Sequence, residues 1–139
     1  MKAPAPGYCT VLLLTWFCVL TVGCSSDTPA SSPLSAFQPQ IASNTDNFQF
    51  QVTAATNVTA TVTYPWQNTG KSASVNQSSA ITGGSAVVTL FDSLQIQRYT
   101  SSLSANGTFM TDTAGAGTWM IRVDLTNLSG TLNFRAQKH

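Results

Sequence analysis

Charge is scarce in this chain. Lys, Arg, Asp and Glu together make up 8% of its 139 residues, and Glu is absent altogether. A surface so poor in cations has little to hold a polyanion, which argues against nucleic acid as a partner. Histidine occurs once, as His139, and cysteine occurs only at Cys9, Cys18 and Cys24. After Cys24 zinc therefore lacks its usual ligands, and neither a disulfide nor a free thiol is available. The same shortages argue against an enzyme. A Ser-His-Asp arrangement would have to use His139, at a position where chains commonly fray. A carboxylate pair would need two of Asp46, Asp92, Asp112 and Asp124 to converge. The first three of these sit beside predicted turns, where Asp caps backbone amides. A Ca²⁺ site built on regularly spaced acids is also missing, since no Asp-x-Asp-x-Asp run occurs. No metal or other cofactor is expected.

What is present begins with an apolar run. Lys2 precedes an uncharged segment from Cys9 to Gly23, which contains Val11-Leu12-Leu13-Leu14-Thr15-Trp16-Phe17. Spanning a bilayer takes roughly 20 apolar residues, so this run is short for that and suits the apolar region of a signal peptide. It closes with Leu20-Thr21-Val22-Gly23-Cys24. That junction resembles the lipobox of bacterial lipoproteins, with Thr21 standing where the family favours Leu. The resemblance implies a signal peptide over residues 1–23 and lipidation of Cys24, which would become the mature N-terminus. It also implies a place in the bacterial cell envelope, facing away from the cytoplasm, on the outer membrane if the cell is Gram-negative. The alternatives are an ordinary secretory signal cleaved nearby and a short buried helix.

Beyond Cys24 the chain turns polar. Ser, Pro and Ala dominate from Ser25 to Pro39, with no apolar period. Residues 24–44 are expected to form a disordered tether, and its first fifteen residues could extend on the order of 50 Å. From residue 45 to 139 a period of two takes over. Phe48, Phe50 and Val52 alternate with Gln, and Val58, Ala60, Val62 and Tyr64 alternate with Thr. Trp119, Ile121, Val123 and Leu125 share one face of a later strand, and Leu132, Phe134 and Ala136 share one face of the next. Ala86 to Phe91 is apolar on both faces and reads as a central strand. Turns are predicted at Pro65–Gly70, Gly83–Gly84, Ala114–Gly117 and Asn127–Gly130, and a hairpin at Asn106-Gly107. A strand is read from Leu94 to Tyr99. The expected fold is all-β: an antiparallel, jelly-roll-like β-sandwich of about eight short strands, following a signal helix and the tether.

A second resemblance rests on Asp46-Asn47-Phe48-Gln49-Phe50, Val88-Thr89-Leu90-Phe91-Asp92, Ala116-Gly117-Thr118-Trp119-Met120-Ile121-Arg122-Val123 and Gly130-Thr131-Leu132-Asn133-Phe134. Together these resemble the bacterial pre-peptidase C-terminal domain. The resemblance implies a non-catalytic sandwich that serves in targeting or binding. The turn Asp92-Ser93-Leu94-Gln95 carries that family's Asp without its nearby Gly.

One aromatic stands apart. Trp66 follows Pro65 in a polar stretch, flanked by Gln67 and Asn68. There it would either stack on a sugar ring, with the two amides directing hydrogen bonds, or fold back to plug the end of the sandwich. Trp119 and Tyr64 alternate with their neighbours and read as core. Asn-x-Ser/Thr sequons at Asn57, Asn76, Asn106 and Asn127 read as surface and turn residues behind a bacterial signal. The expected function is therefore a non-catalytic, membrane-anchored protein contacting an envelope protein or a polysaccharide. A carbohydrate-binding module using Trp66 is the alternative, and a small hydrolase a distant third.

Overall fold

The computed structural model describes residues 33–139, and the signal-like run and Cys24 lie outside them. The described residues are all-β and antiparallel. A short 3-10 turn, Pro33–Phe37, precedes seven strands: β1 (Gln40–Asn44), β2 (Asn47–Asn68), β3 (Ala73–Gln77), β4 (Ala80–Phe91), β5 (Gln97–Ser102), β6 (Gly107–Met110) and β7 (Gly117–Lys138). Seven strands stand in place of about eight because two of them are 22 residues long.

Those two long strands organise the molecule. β2 and β7 pair along their whole length, from Asn47 opposite Gln137 to Asn68 opposite Gly117. Along the first half of β2 and the last half of β7, β1 adds to one side and β3 then β6 to the other. Along the opposite halves, β4 joins β7 and β5 joins β4. The register slips between Val52 and Ala60, and again where β4 passes the same level of β7. Such bulges bend a strand and increase its twist. Here they fold the pair back on itself, so that the start of β2 meets its own end. Asp46 N–H donates to Gln67 O over 2.8 Å. The Phe48 and Tyr64 rings, sixteen positions apart on one strand, have centroids 5.8 Å apart. The result is sandwich-like, with one continuous sheet supplying both layers.

Positive φ marks the bend, at Ala54, Asn57, Asn127, Gly84 and Gly130. Glycine is required at two of these. A Cβ on Gly84 would strike the Asn127 carbonyl, and one on Gly130 the Ala80 carbonyl. The turns expected at Gly83–Gly84 and Asn127–Gly130 are therefore bends inside continuous strands.

The alternating apolar faces point inward as the sequence led us to expect. Phe48, Phe50, Val52, Trp119, Ile121, Val123, Leu125, Leu132, Phe134 and Ala136 are all buried. Val88 and Leu90 of β4 join them, and Thr89 on the other face is buried too, in line with a central strand. The hairpin expected at Asn106-Gly107 does not form. Its flanking strands lie in different parts of the sheet, β5 against β4 and β6 against β3. Leu103 crosses between them fully buried.

The expected tether also needs correction. Pro33–Phe37 is a 3-10 turn and Gln40–Asn44 a paired strand, so the domain extends upstream of residue 45. Leu34 explains the 3-10 turn: it packs against β2 and is 1% exposed. An isolated aliphatic in a Ser/Pro/Ala stretch gives no periodic signal, which is why the segment reads as linker.

Candidate functional site

Residues 66–68 continue β2 rather than forming a loop. Trp66 is 1% exposed and Asn68 is fully buried, while Gln67 between them faces solvent. Strand alternation forces that split. Trp66 meets Trp119 edge to face, ring centroids 6.0 Å apart, and its Nε1–H donates to Asn44 O over 3.1 Å. Trp119 Nε1–H donates to Gly115 O. The Asn68 amide is spent locally: Nδ2 donates to Ser72 O and Oδ1 accepts from Gly70 N–H. Gln67 Oε1 accepts from Thr118 Oγ1. The three residues therefore do not form a stacking platform, and the sugar-binding reading of Trp66 is withdrawn. Pro65 does not end the strand: it keeps its register opposite Met120 of β7, and its carbonyl accepts from Ser43 Oγ.

The aspartates are structural where they can be followed. Asp46 accepts from Thr69 N–H at 2.7 Å and from the Thr69 hydroxyl, and pairs with Lys138 Nζ at 2.9 Å. The Lys138 ammonium first, and then the Thr69 amide, hold its carboxyl at a pKa of about 2. Asp92 is buried and fixes the loop between β4 and β5. Its Oδ1 accepts from Leu94 and Ile96 N–H, and its Oδ2 from Arg98 Nε at 2.7 Å. Burial raises its pKa, but the Ile96 amide, the Arg98 guanidinium and the Leu94 amide outweigh that and leave it lowered. Asp124 pairs with Arg122 and accepts from the Thr61 hydroxyl. Among the described residues no three His, Cys, Asp or Glu side chains gather as metal ligands. His139 is exposed, and its backbone N–H is tied to Ser72 O.

Other polar groups also knit strands together. In the orientation that satisfies both ends of its amide, Gln77 accepts from the Tyr99 hydroxyl and donates to the Ser102 and Ala105 carbonyls. Burial raises the pKa of Tyr99 and of Tyr64. A shallow recess lies beside β1, lined by Gln40, Ile41, Ala42 and Gln49. Among the described residues that strand pairs only with β2. Pro39 stands at its start, and at its end Ser43 Oγ donates to Pro65 O.

The exposed feature that the sequence reading missed is the loop from Asp92 to Ile96. Leu94 is 75% exposed and Ile96 48% exposed, against expectation for residues placed in a strand. β5 begins only at Gln97. Leu94 and Ile96 sit two apart, which imitates strand alternation. The cue against a strand was the Asp92-Ser93 start, a turn signature. Gln95 takes φ 62°, the left-handed conformation that a Gly would adopt more easily.

No protein-family model, curated protein or solved structure matches this chain.

Proposed function

We propose that this chain is a lipid-anchored protein of the bacterial cell envelope that presents its all-β domain for non-catalytic contact with another envelope component. The observation that carries the reading is the junction Gly23-Cys24, where an uncharged apolar run gives way to a Ser/Pro/Ala-rich segment. The domain supports a presenting role in two ways. Its buried polar groups brace strands and turns, as Asp92 and Gln77 do. Among the described residues the ion pairs are local: Asp92 with Arg98 across one loop, Asp124 with Arg122 along β7, and Asp46 with Lys138 where β2 starts and β7 ends. The resemblance to pre-peptidase C-terminal domains points the same way, toward targeting or binding.

The test is a fractionation of cells producing the wild type and Cys24→Ser. Wild type is expected in the membrane fraction. The variant is expected to be released, or to persist as a longer precursor. Equal membrane retention at equal mature length would overturn the anchor.

A further inference from the structure

We propose that the loop from Ser93 to Gln97 is a second membrane contact, a tip that inserts Leu94 and Ile96 among lipid acyl chains. The inference rests on the membrane attachment proposed above, because two aliphatic side chains act at useful strength only when the domain is already held near a bilayer.

Four of the amides of this loop are satisfied from within it. Asp92 Oδ1 takes the Leu94 and Ile96 amides at 2.9 and 3.0 Å. Gln95 N–H donates to Asp92 O, and Asp92 N–H to Ile96 O, each at 2.9 Å. The donors of residues 92, 94, 95 and 96 are thus all satisfied inside the loop. Each amide paired in this way lowers the cost of carrying the loop into hydrocarbon, where an unpaired amide is costly. The Asp92 carboxylate behind the tip is paired, since Arg98 meets it at 2.7 Å. Ser93, Leu94, Gln95, Ile96 and Gln97 carry no charge. Gly117 backs the loop closely enough that a Cβ there would meet Ser93.

Lipid fits this tip better than a protein socket does. A specific protein interface takes roughly 800 Å² from each partner, far more than two side chains supply. Gly115 and Gly117, which approach Ser93, are uncharged and offer no further anchor. An acyl-chain boundary needs neither a matching shape nor a polar rim. The absence of charge in the loop makes insertion indifferent to salt and to anionic lipid.

The experiment uses the full chain on phosphatidylcholine vesicles, half of them brominated in the acyl chains. Leu94→Trp is the reporter. Ala105→Trp, exposed beside Asn106 at the far end of β4, is the control, and the parent chain's emission is subtracted from both. The proposal expects flotation of all three proteins, bromine quenching of Leu94→Trp with a blue shift, and neither change for Ala105→Trp. Adding Ile96→Asp to Leu94→Trp should abolish the quenching, and raising the salt should leave it intact. Flotation without quenching of Leu94→Trp overturns the tip alone and leaves Leu94 to a protein partner. Failure to float overturns the tip and the membrane attachment together.

Discussion

At the scale of single residues, Trp66 and Asp46 carry the sharpest expectations. Trp66 packs edge to face on Trp119 in the core. Trp66→Ala should destabilise the domain by about 3–5 kcal/mol, the usual cost of emptying a large aromatic site. A urea denaturation series checks this, and an unshifted midpoint would put the indole in solvent. The inward setting of Trp66 was legible in one respect: Val62, Tyr64, Trp66 and Asn68 keep the period of two across Pro65. What obscured it was Pro65, which reads as a strand breaker yet keeps its register opposite Met120. Asp46 predicts an acid dependence. Its carboxyl titrates at about 2 when folded, with Lys138 as the largest cause, against about 3.9 in an unfolded chain. The unfolded state therefore binds more protons across that interval, and stability rises with pH through it. The contribution is complete above about pH 4 and disappears as pH falls through about 2. Asp46→Asn should lower the urea midpoint at neutral pH and lose that difference toward the acid end. A constant difference at every pH would mean that the carboxylate charge is not what Asn removes.

At the scale of elements, the 3-10 turn ahead of β1 decides where the domain starts. Leu34 is its buried residue. Leu34→Ala should cost about 2–5 kcal/mol, the range for a buried aliphatic truncated to Ala. A thermal or urea midpoint equal to wild type would return residues 33–37 to the linker. Strand existence was readable wherever apolar and polar residues alternate, as at Phe48 to Val52 and Trp119 to Leu125. Strand ends and partners were not. Asn127–Gly130 and Gly83–Gly84 carry turn chemistry, but the positive φ that suits a turn suits a bulge equally. Asn106-Gly107 has the residues of a hairpin, yet the flanking strands find partners elsewhere. Long-range pairing with β3 and β4 outweighs the local signal there. The Asp92 loop was half legible. Its turn-forming Asp was recognised, while Leu94 and Ile96 imitated the strand that begins three residues after Leu94.

At the scale of the whole molecule, β2 and β7 run through both layers of the described residues. Asp46 and Asp92 brace strand ends and turns, and Leu94 and Ile96 at the Asp92 loop are exposed. The proposed role is for this body to be held and presented, so the account stands or falls on how the chain is held. The most direct measurement is intact mass spectrometry of the mature protein, extracted from membranes of a bacterial host. The account predicts a chain beginning at Cys24 whose N-terminal peptide carries long acyl chains, with the peptides from Ser31 onward unmodified. A mature chain that begins at another residue, or one beginning at Cys24 without acyl mass, would contradict it.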